Sequence, residues 1–398
     1  MYHPRQHNRN IFNYFNVLSR VQGNKGGTML GQQQAIEKIF SLAGITINGP
    51  DPWDIQVHDD QLYGRLLGDK NLGLGEAYME GLWDCNRIDE FICRIHKADL
   101  NNKIKGNLKS LLSYLSALIF NPQSRARSHR VSEQHYDLGN DLFISFLDSY
   151  NQYSCAYFKD ADDLKTAQLN KLDLICKKIE LSSQDHVLDI GCGWGGFSRY
   201  AAELYGCSVT GVNISKEQVC FAGEFCKNLP VRILPCEYRD IQGEFDKVVS
   251  IGMFEHVGQK NYKTFMRVVN RCLKNDGIFL LQTIGGNESQ IKCDPWIDKY
   301  IFPNSMLPSI AQIGKAAEGL FVMEDWHNLG PHYDKTLMAW HENFTKAWPN
   351  LKGKYDERFR RMWEYYLLSC AGAYRARIIQ LWQIVFTKAG AKQPDCRK

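Results

Sequence analysis

The stretch VLDIGCGWGG, Val187 to Gly196, decides how the rest of the chain is read. Val187, Leu188 and Ile190 make a short apolar run broken by one acid, Asp189. Cys192 and Trp194 then alternate with Gly191, Gly193, Gly195 and Gly196. An apolar run of this length ending in glycines reads as a buried strand that turns into a helix. Glycine admits backbone conformations denied to other residues and lets the main chain approach a ligand closely. The loop also falls outside the carboxyl end of a strand, where open α/β sheets bind ligands.

The spacing narrows the ligand. A dinucleotide fingerprint reads GxGxxG, with an acid about 20 residues on for the ribose. Here the spacing is GxGxGG, the acid sits inside the strand, and the next strand ends in Asn213. An asparagine amide could still serve ribose hydroxyls as both donor and acceptor. The pattern D-x-G-x-G-x-G resembles the loop of class I S-adenosylmethionine methyltransferases. Dinucleotide binding and a purely structural turn are the alternatives.

Outward from the loop, strands are expected at 186–190, 208–212, 231–234, 247–251 and 277–283. Helical patterns separate them at 164–181, 196–204, 216–228 and 262–273. Such alternation predicts a parallel sheet covered on both faces. A long helical pattern at 357–379 and a strand-like QLWQIVF at 380–386 follow. Upstream, from residue 32 to about 105, the pattern is helical with glycine-marked turns. Between Phe91 and Arg130 stand eight basic residues (Arg94, Lys97, Lys103, Lys105, Lys109, Arg125, Arg127 and Arg130) against the single acid Asp99. The apolar LLSYLSALIF, 111–120, lies among them. That combination suits a core helix with a solvated rim, or a surface resting on anionic lipid. The chain therefore divides into a basic extension over 1–30, a helical domain over 31–131 and an α/β domain over 132–398.

Composition sets the outer limits. A chain of 398 residues, 44% hydrophobic and 23% charged, is an ordinary globular protein of one large or two smaller domains. No run of about 18 apolar residues occurs, so no membrane-spanning helix is expected. The formal excess of +4 is matched by Arg5, Arg9, Arg20 and Lys25 alone, leaving the remainder balanced. No nucleic acid partner is expected. The 13 cysteines include no CxxC pair, which points to a reducing cytoplasm and to neither a metal site nor a disulfide framework.

A second stretch, VVSIGMFEHVG (Val248 to Gly258), poses a chemical question. It reads as a buried strand that turns over a glycine and presents Glu255 and His256. Burying an unpaired carboxylate costs several kcal/mol or forces it to neutralise. Taken alone, Glu255 reads as readily as a structural ion pair or cap as it does as a functional group. His256 reads as a packed residue, and Cys155 as a small buried hydrophobe.

Several segments together carry a close resemblance. They are EQHYDLGNDLF (133–143), QYSCAYF (152–158), GVNIS with Gln218, EYRD (237–240), IGMFEHVG (251–258), DPWIDKYIFPN (294–304), EDWHNLGPHYDKTLMAW (324–340) and LSCAGAYRAR (368–377). In matching order from about residue 33 to 386, they resemble the cyclopropane-fatty-acyl-phospholipid synthase family. The resemblance implies a Rossmann-like domain with a seven-stranded sheet, preceded by a smaller, mainly helical lipid-binding domain. It implies transfer of a methylene group from S-adenosyl-L-methionine to the cis double bond of an unsaturated acyl chain in a membrane phospholipid. A carbocation forms and loses a proton to a bound bicarbonate ion. It also implies a homodimer in peripheral contact with the anionic inner face of the membrane. The alternatives are a branched or exomethylene product, a small-amine N-methyltransferase, and a lipid-binding protein without turnover.

By the same resemblance, bicarbonate would be held by Cys155, Glu255, the side chain at position 282, the backbone at Ile284, and Tyr333. The family generally has a histidine in L-L-H-T-I-G, where this chain has Gln282. An amide can donate one hydrogen bond to an anion but cannot carry charge or relay a proton. Cys370 corresponds to a cysteine the family has been thought to need, and packing explains it equally well. For the cofactor, the loop from Val187 through Leu188, Asp189, Ile190, Gly191, Cys192, Gly193 and Trp194 to Gly195 is the expected floor. The resemblance adds Tyr153 and Ser154 near the carboxylate, Asn213 and Gln218 near the ribose, and Glu237 and Tyr238 near the adenine. Tyr136, Phe158, Phe254 and Tyr300 are aromatic candidates for facing the cation.

Overall fold

The computed structural model describes residues 29–98, 139–290 and 292–397. Most of the basic extension, the apolar stretch 111–120, the basic residues from Lys103 to Arg130, and Tyr136 lie outside the described residues. In chain order the helices are α1 Met29–Leu42, α2 Gln61–Met79, α3 Ile88–Lys97, α4 Asn140–Phe146, α5 Leu164–Lys178 and α6 Gly196–Tyr205. They continue with α7 Lys216–Phe225, α8 Tyr262–Cys272, α9 Pro295–Tyr300, α10 Ile310–Ala317, α11 Gly330–Leu351 and α12 Glu357–Arg375. The strands of the main sheet are β1 His186–Ile190, β2 Ser208–Asn213, β3 Val231–Pro235, β4 Phe245–Ile251, β5 Leu273–Gly286, β6 Val322–Asn328 and β7 Ile379–Thr387.

These strands form one seven-stranded sheet in the order β3-β2-β1-β4-β5-β7-β6. The first five pair in parallel, and β7 alone runs the other way, antiparallel to both β5 and β6. The strand–helix alternation anticipated the parallel part. It did not anticipate that the last strand enters between two others in the opposite sense. All nine residues of β7, IQLWQIVFT, are buried, as a strand with neighbours on both sides and cover on both faces must be.

Side chains alternate across a strand, and the core divides accordingly. Leu188, Val248, Phe279 and Ile384 join one apolar cluster, which includes Phe265 and Val269 of α8 and Ile313 of α10. Val187, Val249, Leu280 and Val385 join another, with Leu172 and Ile175 of α5 and Phe197 and Ala201 of α6. Some helices begin on a local signal: Asp163 caps α5 through the Thr166 amide, and Ser309 with Gln312 forms a capping box on α10.

Two compact units are present. The larger contains the sheet and is built from described residues 139–290, Phe302–Ala347 and 379–397. The smaller draws on three stretches: residues 29–98, Lys292–Ile301 and Trp348–Ile378. Within it α12 packs on α3 so closely that a Cβ at Gly372 would lie 2.4 Å from the Asp89 carbonyl. Arg375 locks the same contact through the Asp89 carboxylate.

Candidate active site

At the carboxyl ends of β1, β2 and β4 the chain encloses a cavity, and the glycine loop forms its floor. Gly191, Gly193 and Gly195 take φ of 80, 54 and 81°, a region that favours glycine. Gly196 is needed for another reason. A Cβ there would sit 1.8 Å from the Tyr150 carbonyl oxygen and 2.2 Å from Gln152 Nε2. The segment leading to Tyr153 and Ser154 therefore lies directly against the start of α6.

Asp189, Ile190, Gly191, Cys192, Gly193 and Trp194 line the cavity from the loop. Tyr153, Ser154, Asn213, Gln218, Glu237 and Tyr238 complete its wall. Val187 and Leu188 sit in the core clusters instead, and a Cβ at Gly195 would meet Ala222 and Cys226 at 3.0 Å. Gln152, Met253, His256, Pro303 and Asn304 also line the cavity, though they were not singled out as cofactor residues. All five belong to quoted motifs, so membership of a motif was the available signal.

The polar groups of this wall are held in place. Asp189 is 2% exposed and accepts a 2.8 Å bond from the Ser198 hydroxyl, while burial pushes its carboxyl up to about 7. Asn213 caps its own turn: Oδ1 accepts from the Ile214 amide at 2.7 Å, and Nδ2 donates to Gln218 Oε1 at 2.8 Å. Glu237 Oε1 accepts from Arg239 Nη1 at 2.6 Å, and the guanidinium carbon stands 4.5 Å from the Tyr238 ring centre. The Tyr238 hydroxyl is buried without a hydrogen-bond partner.

Glu255 belongs to a second constellation in the same unit. β4 ends at Ile251, Gly252 turns the chain with φ 67°, and a single turn over Phe254–His256 brings Glu255 inward. The residue is 4% exposed. Its Oε1 accepts a 2.6 Å bond from the Ile284 amide of β5, and its Oε2 is buried with no partner. Burial pushes the carboxyl up to about 7 against the pull of that amide, of Glu255's own backbone amide and of the Thr283 hydroxyl. His256 is held down to about 4 by burial and stays neutral.

Gln282, two residues before Ile284, faces the same side of β5. It pairs in register with Gln383 of β7, whose Nε2 donates to Gln282 Oε1 at 3.0 Å. Gln282 Nε2 is left buried and unpartnered. Glu255 Oε2 is thus an orphan acceptor, and Gln282 Nε2, two residues along β5 from the amide that Glu255 accepts, is an orphan donor. Unpaired buried polar groups cost about 1–3 kcal/mol each, so they mark a place where a ligand would supply the missing bonds.

Cys155 and the helix that carries Tyr333 are tied to the chain crossing beside β7. Leu381 pairs with Ile284, and its carbonyl accepts from the Leu329 amide at 2.7 Å. The Leu329 carbonyl lies 3.9 Å from Cys155 Sγ, and Ala156 N donates to Thr336 Oγ1 of α11 at 3.0 Å. Tyr333, also on α11, is buried with its ring edge-on to Trp340. Burial raises the Cys155 thiol far above its usual range, so it is a neutral group rather than a thiolate nucleophile. Cys370 belongs to the smaller unit, where burial pushes its thiol up to about 12. Phe254 is committed to the core, stacked 4.3 Å from Tyr262, and Tyr300 belongs to the smaller unit. Phe158 lies beneath Lys335, whose Nζ is 5.7 Å from its ring centre.

Residues 123–384 match the family model described as mycolic acid cyclopropane synthetase. The chain belongs to that family. It is 53% identical over 351 residues to the cyclopropane-fatty-acyl-phospholipid synthase of Escherichia coli strain K12, covering 88% of this chain and 92% of that one. A probable fatty acid methyltransferase of Pseudomonas putida is 32% identical over 366 residues, 85% of this chain and 88% of its own. Among solved structures, the mycolic acid cyclopropane synthase CmaA1 complexed with SAH and CTAB superposes with a TM-score of 0.62. That match has 33% identity and covers 65% of this chain and 98% of the other. Coclaurine N-methyltransferase, at 22% identity and TM-score 0.62, covers 79% of this chain and 98% of its own, and shares the fold.

Proposed function

We propose that this chain is an S-adenosylmethionine-dependent cyclopropane-fatty-acyl-phospholipid synthase in which Glu255 works with a bound bicarbonate ion. The overall reaction adds one CH2 across the cis double bond of a phospholipid acyl chain and releases one proton. S-adenosylmethionine, bound over the glycine loop, supplies an electrophilic methyl group. An alkene is a weak nucleophile that needs no activating base, which agrees with a site whose cysteine is neutral. What the protein must provide is alignment, exclusion of water and a proton acceptor beside the developing cation.

The observation that carries the reading is the buried, unpartnered oxygen of Glu255, with the unpartnered Gln282 amide two residues along β5 from Ile284. Bicarbonate supplies a hydroxyl donor and acceptor oxygens in one small anion. Glu255 Oε2 is available to accept that hydroxyl proton, and Gln282 Nε2 to donate to an oxygen. Tyr333 and Cys155 complete the proposed set. Tyr153, Ser154, Asn213, Gln218, Glu237 and Tyr238 are the proposed cofactor residues with the loop. Residues 31–131 form the proposed lipid-facing domain ahead of a catalytic domain over 132–398. The basic run from Arg94 to Arg130 supports peripheral contact with an anionic membrane face. Pairing of two copies is the last part of the reading and rests on the resemblance. Among the described residues no helix is long and apolar enough to cross a membrane.

The test is incubation with vesicles of unsaturated phospholipid and methyl-labelled S-adenosylmethionine, followed by mass analysis of the lipid. The expected product carries label and is two hydrogens short of a saturated methyl adduct. Label on an exomethylene or branched chain would mean that the cation meets another fate at a site with Gln282. Label on soluble amine alone would overturn the lipid reading.

A further inference from the structure

α5 contributes more to the cavity than core packing. It sends two polar side chains, Gln168 and Lys171, into the interior, and both are 0% exposed. They are one turn apart and meet the same segment, residues 152–154. Gln168 Nε2 donates to the Ser154 carbonyl at 2.9 Å and to the Gln152 carbonyl at 3.3 Å. Lys171 Nζ donates to Ser154 Oγ at 3.1 Å and to the Gln152 side-chain oxygen. A backbone tie alone would need only the glutamine. Burying an ammonium to duplicate it is costly, and among the described residues Lys171 forms no ion pair.

Donor chemistry indicates what the lysine adds. An ammonium donates and cannot accept. The Ser154 oxygen that receives it must send its own proton to a different acceptor, and Ser154 stands on the cavity wall. The Gln152 oxygen is taken in the same way, and the amide end of that side chain turns to the Tyr150 carbonyl at 3.2 Å, beside Gly196. A buried positive charge thus lies behind a hydroxyl on the cavity wall. In S-adenosylmethionine the adenosine is uncharged and the sulfonium and amino groups are cations. The carboxylate is the part that gains from this arrangement.

We infer that Lys171 is a positioning residue for the cofactor's carboxylate, acting through the Ser154 hydroxyl and the Gln152 side chain. The inference rests on the cavity being the S-adenosylmethionine site. Burial holds the lysine down to about 8, which leaves it charged at neutral pH; the Asp148 and Asp189 carboxylates oppose that fall.

Calorimetry with two ligands tests it. S-adenosylhomocysteine carries the amino-acid end, and 5′-methylthioadenosine lacks it while keeping the adenosine and sulfur. In Lys171→Met, affinity for S-adenosylhomocysteine is expected to fall roughly 10- to 100-fold, with 5′-methylthioadenosine within about twofold of the parent protein. Ser154→Ala is expected to show the same selectivity with a loss of about tenfold. It carries the test alone if the lysine variant does not fold. The two changes together should cost less than the product of their separate losses, because they act in one chain. Equal losses for both ligands would make Lys171 a structural support and overturn the inference. Unchanged affinity for both would overturn it too. Failure of the parent protein to bind S-adenosylhomocysteine would instead remove the cofactor reading.

Discussion

Asp189 and Glu255 are both buried carboxylates at the carboxyl ends of strands, and burial pushes each up to about 7. Their surroundings differ. Asp189 receives the Ser198 hydroxyl and feels the buried Lys171 cation, while lining the cavity above the glycine loop. Glu255 receives one backbone amide and keeps its second oxygen buried and unpartnered. The first is furnished as part of a preformed wall. The second is incomplete until something that donates a proton arrives. A carboxylate with an orphan oxygen is the better candidate for holding a reagent, although depth and acidity are the same.

The largest effect that separates the two is on turnover. Glu255→Ala should lower the rate of cyclopropane formation by roughly 10³-fold, within the range for losing an acid–base group. Its affinity for S-adenosylhomocysteine should stay within about twofold. Turnover of labelled lipid and calorimetry read the two quantities, and equal loss in both would erase the contrast. Asp189→Asn should do the reverse. Cofactor affinity is expected to fall about tenfold with a smaller change in turnover at saturation, as for loss of one charge-assisted contact.

A stability measurement sharpens the comparison from the other side. The folded Glu255 carboxyl titrates near 7, above its unfolded value, so folding favours the protonated form. The cost of ionising it is present above pH 7 and is relieved as pH falls toward the unfolded value. Glu255→Gln should therefore stabilise the protein by about 1–3 kcal/mol at pH 8 and by much less at pH 5. Denaturant melts at the two pH values check this. The smallest effect concerns the partner donor. Gln282→His should tighten apparent bicarbonate affinity by roughly two- to fivefold, because a histidine can carry charge where an amide cannot.

How much of this was legible in the sequence follows from how each part is encoded. The glycine loop is contiguous, so strand, turn and helix start could all be read from Val187 to Gly196. The parallel strands β1 to β5 were legible for the same reason, being apolar runs between helical patterns. β6 was not, since VMEDWHN is a mostly polar edge strand with no clean alternation. The antiparallel entry of β7 is a property of topology that its fully buried run does not encode.

The site divides along the same line. Loop residues on the cavity floor could be anticipated from spacing, except that strand alternation sends Val187 and Leu188 into the core. The residues proposed to hold bicarbonate (Cys155, Glu255, Gln282 with Ile284, and Tyr333) come from four separated segments, and only resemblance to a family links them in the sequence. Lys171 and Gln168 gave no signal at all. In LKTAQLNKLDLICKK they look like solvent-facing helix residues until their partners are known.

The central claim is that Glu255 completes its hydrogen bonding with bicarbonate. The most direct measurement is the rate of cyclopropane formation in carbonate-depleted buffer, with bicarbonate then added back in steps. Turnover should be nearly abolished on depletion and return along a saturable curve, while Glu255→Gln gains little at any concentration. Full turnover in rigorously depleted buffer would contradict the account.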